Sequence, residues 1–273
     1  MNLFEAMNLE YSVSKWWLST SLGLTCLFYG CLILTAAASG PWLKRAAFIA
    51  FLVQVLTPAA RMRSATLYTL AESVRRAAML QNGLGTRISP LQVAKIAAKH
   101  GITFRNETAT FDRYYESALP AGPRRLLEIT EESAFWTSEL AERMAVLLKV
   151  VLVIVLALVI IAALVALQSG LTKTQGELFA KIFMGTLTVW CTGDLFTLWR
   201  RYDSLAHGAQ RVLTDCERMK SISEIGHEAV VAFGEYNCFL AAAPVIPEFI
   251  YKLSQKKLNA AWASRNAQEP TKV

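Results

Sequence analysis

Long apolar runs alternate along this chain with segments in which apolar residues recur at helical spacing. The first run, Trp16 to Ser39, is roughly 24 residues, enough for a bilayer core that needs about 20. It also exceeds the roughly 7–15 apolar residues of a signal peptide. Trp16 and Trp17 stand at its start, where an interfacial aromatic belt is expected. A break at Gly40-Pro41 precedes a second run, Ala46 to Ala60, of only about 15 residues. Trp42 and Leu43 extend it, with Lys44 and Arg45 snorkelling to the interface; a re-entrant or buried helix is the other reading. Val150 to Leu167 holds no polar side chain, and Leu147 and Leu148 extend it past Lys149. After a short loop, Leu178 to Trp199 forms a more polar fourth run, with Thr186, Thr188, Thr192, Asp194 and Thr197 inside it.

The segments between these runs also read as helices. Leu67, Leu70, Val74 and Met79 continue the second run outward, and Ser89-Pro90 opens a short helix that stops near Gly101. The loop Ala118-Leu119-Pro120-Ala121-Gly122-Pro123 halts any helix, and from Arg124 a long helix runs into the third apolar run. Leu205, Ala209, Val212, Leu213 and Cys216 mark an amphipathic helix continuing from the fourth run. Residues 222–243 form another. After Ala243-Pro244-Val245-Ile246-Pro247, a final amphipathic helix turns Phe249, Ile250, Leu253, Leu258 and Trp262 inward, and the last ten residues read as disordered.

The predicted fold is therefore an all-α integral membrane protein with two transmembrane hairpins. Its parts are an N-terminal segment and first hairpin (1–60), a helical block (61–143), a second hairpin (144–200) and a helical tail (201–273). Arg61, Arg63, Arg75, Arg76, Arg143, Arg200, Arg201 and Arg211 lie near span ends on one side, against Lys44, Arg45, Lys173 and Lys181 on the other. That bias places the helical blocks and both termini in the cytoplasm. Composition agrees: 54% of residues are hydrophobic and 18% charged, below the roughly 25% charged of soluble domains. The net charge of +7 reads as membrane-flanking basic residues, and no DNA or RNA polymer is implied. Five cysteines without a C-x-x-C spacing argue against a disulfide framework or zinc site.

No catalytic motif is visible. His100, His207 and His227 have no metal-ligand spacing, and neither a nucleophile elbow nor a phosphate loop occurs. No metal or cofactor is predicted. Arg124 and Arg125, with Glu128, Glu131 and Glu132, read first as an ion-paired helix surface. Alternatively, the two arginines receive an anion at a helix N-terminus. A carboxylate such as Asp194 costs about 2.5–3.5 kcal/mol inside a span, so it either pairs with Lys149 or faces a water-filled pore. Thr186, Thr192 and Thr197 serve as interhelical glue or line the same water. Four spans cannot enclose a wide channel in one chain, so a pore requires a homo-oligomer.

Two stretches carry a resemblance. The segment Tyr114-Tyr115-Glu116-Ser117-Ala118-Leu119-Pro120-Ala121-Gly122-Pro123-Arg124-Arg125-Leu126-Leu127-Glu128, followed by Glu132-Ser133-Ala134-Phe135-Trp136-Thr137, resembles the central signature of the SMODS-associating four-transmembrane family of bacterial pore-forming effectors. Ala243-Pro244-Val245-Ile246-Pro247 and Leu258-Asn259-Ala260-Ala261-Trp262 resemble its C-terminal end. The resemblance implies a role in anti-phage signalling, in which a nucleotidyltransferase makes a cyclic oligonucleotide and the effector permeabilises the inner membrane. A non-conducting scaffold and a small transporter are the competing classes.

Overall fold

The computed structural model describes residues 3–37, 41–86, 91, 94, 98, 115–168, 194–222 and 225–268, and every regular element among them is an α-helix. In chain order these are α1 (Leu3–Ala37), α2 (Pro41–Leu84), α3 (Pro123–Gln168), α4 (Asp194–Lys220), α5 (His227–Ala242) and α6 (Glu248–Gln268). The chain divides into two compact units. The first gathers Met1–Lys15, Thr66–Met144 and Arg201–Val273; the second gathers Trp16–Ala65 and Ala145–Arg200. All four boundaries fall inside helices, because α1, α2, α3 and α4 each pass through one without interruption.

The second unit turns apolar side chains outward. Trp42, Phe48, Phe51, Val153 and Ile161 are each more than half exposed, an apolar surface far beyond scattered single residues. Within it, α2 stays helical through Pro58, although that residue withholds the N–H which would reach the Gln54 carbonyl. The Thr57 and Thr25 hydroxyls bond back to the Val53 and Ser21 carbonyls of their own helices, and Arg61 Nη2 donates to Thr25 Oγ1 at 3.4 Å. Among the described residues one stretch, Lys44–Leu84, is long and apolar enough to cross a membrane.

The first unit has a closed core. The outer half of α2 buries Leu67, Ala71, Val74, Ala78 and Met79, the i, i+3/i+4 stripe of an amphipathic helix. Leu126, Leu127, Ile129 and Met144 of α3 are buried in the same unit, as are Tyr202, Leu205, Val212 and Leu213 of α4. Each such side chain contributes about 1.5–3 kcal/mol by leaving water. α2 ends at Gly85, whose left-handed φ of 69° suits a residue without Cβ, and its N–H donates to the Gln81 carbonyl at 3.0 Å. Gly83 permits a close approach: a Cβ there would come within 2.9 Å of the Leu126 Cα.

A buried polar cluster runs through this core. Glu72 accepts from Arg75 Nε at 2.9 Å and from the Tyr11 hydroxyl. Arg75 lies 5.2 Å from the Tyr236 ring centre, and Tyr236 bonds in turn to Thr137 and to the Ser133 carbonyl. Four helices thus share one polar cluster, its two hydrogen-bonded halves joined by the guanidinium–ring contact. The Cys216 thiol, buried among carboxylates, is pushed up to about 12 by burial first and by Glu131 and Asp215 second. It stays protonated and chemically quiet.

Three sequence expectations change here. Glu131 is no surface residue; it is 1% exposed. The final helix does bury Ile250, Leu258 and Trp262, but it turns Phe249 and Leu253 outward, because their positions lie opposite the stripe that meets the core. Helix α6 also continues to Gln268, through residues predicted disordered, because Arg265 and Asn266 are tied to the unit by their side chains. Ser89, Pro90, Gly101 and the whole of 169–193 lie outside the described residues.

Candidate functional site

Where the 115–122 loop meets α3, the end of α4 and α6, the first unit opens a cleft of about 260 Å³. The loop contributes Glu116, Ser117 and Leu119, and α3 contributes Glu128, Glu131 and Glu132; Lys220 closes one side, Trp262 and Asn266 another. Proline and glycine in the loop prevent a helix, so its backbone turns sharply into α3. The spacing of 128, 131 and 132 then sets three carboxylates on one stripe of that helix.

Glu131 is the deepest of these groups. Its carboxylate bridges Lys220 Nζ and Arg265 Nη2, each at 2.6 Å, and Arg265 also reaches Glu217 at 2.7 Å. Two cations thus offset the cost of burying this group. Glu116 ties the loop to the last helix: its carboxylate accepts from Trp262 Nε1 at 2.9 Å and Asn266 Nδ2 at 3.1 Å. Its backbone N–H donates to Glu132 at 3.1 Å. Ser117 donates to Glu128 at 2.6 Å.

Glu132 is raised to about 7, above all by burial, with the charges of Glu116 and Glu131 adding to it against the Glu116 N–H bond. Near neutrality the cleft therefore holds a carboxyl poised between acid and carboxylate beside three further carboxyls. Four carboxyls against Lys220 and Arg265 favour a ligand that brings hydrogen-bond donors or positive charge. Among the described residues no group of three His, Cys, Asp or Glu side chains is arranged to hold a metal ion.

The arginines singled out from sequence are placed elsewhere. Arg125 braces the loop, with Nε on Asn82 Oδ1 at 2.9 Å and Nη1 on the Leu119 carbonyl at 2.5 Å. Arg124 is exposed and reaches the Ile222 carbonyl at 3.3 Å. Neither lines the cleft. Lys149 and Thr197 are exposed in the second unit. Asp194 is the first residue of α4; its side chain, Thr186 and Thr192 lie outside the described residues, and so does any Asp194–Lys149 pair.

Sequence reasoning did not single out Glu116, Glu131, Lys220, Trp262, Arg265 or Asn266 as a group. A signal was nevertheless present: Glu116, Ser117, Ala118, Leu119, Glu128 and Glu132 from the first stretch that carries the resemblance, and Trp262 from the second, all line this cleft. No family model, curated protein or solved structure matches the chain.

Proposed function

We propose that this chain is a four-span inner-membrane effector whose homo-oligomer opens a pore when the first unit receives a cytoplasmic cyclic-nucleotide signal in anti-phage defence. The observation that carries this reading is the contrast between the units. One buries its apolar residues around a cleft, whereas the other turns Phe48, Phe51, Val153 and Ile161 outward, as lipid contact requires. Helices that pass unbroken from one unit into the other supply a physical route by which a signal received at the surface of the first unit biases the spans. Arg124, exposed in the first turn of α3, is assigned to phosphate contact, and Arg125 positions the loop that carries Glu116. Asp194 with Thr186, Thr192 and Thr197 is assigned to the conduit, and Lys149 to its rim. No residue is assigned a catalytic role.

The test is membrane potential in bacteria expressing the chain with and without an active cyclic-nucleotide synthase. Depolarisation that requires the synthase supports the gated pore. Unchanged potential at good membrane expression removes it. The acidic lining of the cleft favours a second reading, a non-conducting scaffold that holds a basic partner segment there. Partner capture that is lost in Glu116→Gln, without depolarisation under any condition, selects it.

A further inference from the structure

The outward face of α6 has a composition that the closed unit does not explain. Leu253 is 78% exposed, the highest of any large apolar side chain among the described residues, and Phe249, one turn earlier, is 43% exposed. Helical spacing continues this line through Lys256, Ala260 and Ala267, all exposed. Lys252 and Lys257 flank it, also exposed, and no acidic residue shares this face. The single acid of the helix, Glu248, is taken by Lys15 at 2.5 Å.

That ion pair ties the first turn of α6 to α1. Lys15, which in addition sits 5.8 Å from the Tyr251 ring centre, directly precedes Trp16 and Trp17 in unbroken α1. Those tryptophans open the first proposed span, at the depth where indole rings mark the bilayer interface. The first turn of α6 is therefore tied to the residue that directly precedes the first proposed span.

We infer that α6 is an interfacial helix: Phe249 and Leu253 enter the headgroup region of the surrounding bilayer while Lys252, Lys256 and Lys257 meet anionic lipid headgroups. A narrow apolar line bordered by lysines, whose stems lie along it while their ammonium groups reach phosphates, is the pattern of helices that lie in a membrane surface. Charge selects the occupant. An acid-free face bearing three lysines matches the negative cytoplasmic leaflet, to which each basic residue near the surface adds attraction. The inference rests on the four-span reading and adds to it a lipid contact outside the spans.

The test uses the full chain reconstituted in bilayer discs with p-benzoylphenylalanine at Leu253, at Gln255 on the flank of the helix, or at Phe48 in the second span. Ultraviolet cross-linking is read by mass spectrometry. Lipid adducts at 253 but not 255 are expected, with a yield that falls about threefold or more when anionic lipid is omitted or when Lys252, Lys256 and Lys257 are changed together to Gln. Cross-links from 253 to a second copy or another protein overturn the inference, as does the absence of any adduct at 253 while Phe48 labels lipid. An adduct yield at 253 that ignores lipid charge removes the role of the lysines. Failure at Phe48 as well, with extraction of the chain by alkaline carbonate, instead refutes the spans themselves.

Discussion

Glu131 and Arg265, 134 residues apart in sequence, meet at 2.6 Å with the carboxylate 1% exposed. Removing one partner of a buried ion pair leaves the other uncompensated and costs up to about 3–5 kcal/mol. Here Arg265 and Lys220 retain some access to water, so Glu131→Gln is expected to cost roughly 1–3 kcal/mol. A thermal melt of the detergent-solubilised protein checks this. Glu131→Leu combined with Arg265→Met and Lys220→Met is expected to recover part of the loss, and a double-mutant cycle showing no coupling would contradict the network.

Glu132 predicts an unusual pH response. Its folded pKa of about 7 lies above the ordinary 4.5, so between those values the folded chain holds a proton that the unfolded chain has released. Stability from this group is therefore intact below about 4.5, declines as pH rises toward 7, and is fully lost above it. The total is of order 3 kcal/mol. A lower melting temperature at pH 8 than at pH 6, with the difference shrinking in Glu132→Gln, is the expected result. A pH difference undiminished in the variant would place its origin elsewhere.

Gly83 brings α2 against the start of α3. Alanine there would set its Cβ 2.9 Å from the Leu126 Cα, and backbone cannot yield as a flexible side chain does. Gly83→Ala is expected to lose about 1–3 kcal/mol and to loosen the Gly122 N–H bond to the Gly83 carbonyl, 2.7 Å long. Faster proteolysis of the 115–122 loop reports that loosening, and wild-type melting with wild-type proteolysis would deny the contact.

Asp194 predicts a change in conduction. If the carboxylate faces the pore, Asp194→Asn alters conductance or toxicity while the protein accumulates normally. Single-channel recording beside quantified membrane expression separates this from a structural role. Poor accumulation rescued by Lys149→Met would establish an Asp194–Lys149 pair instead.

Much of the helical architecture was legible in the sequence because it is locally encoded. The Pro/Gly loop before Pro123, the buried stripe Leu205–Ala209–Val212–Leu213–Cys216 and the break at Pro244–Pro247 are read from periods and turn residues. The cleft was not, because its walls lie up to 150 residues apart along the chain. Local spacing assigns Glu131 to an exposed, ion-paired surface, as it would any glutamate near arginines. Only the return of Lys220 and Arg265 makes burial affordable. Phe249 and Leu253 fail in the opposite direction: hydrophobicity identifies them as apolar without saying whether protein or another medium covers them.

The Glu131–Arg265 bridge has a consequence for biosynthesis. At about 5–20 residues per second, roughly 7–27 s separate synthesis of the two residues. The first apolar hairpin precedes Glu131 in the chain and the second is made within that interval, so on the four-span reading insertion is under way before the carboxylate acquires its guanidinium. Until α6 arrives, the acid keeps a water-accessible environment, and the first unit is a half-built shell around an open seam. On that reading its completion follows insertion, timed by the translation of the last helix rather than by the folding of the helices before it.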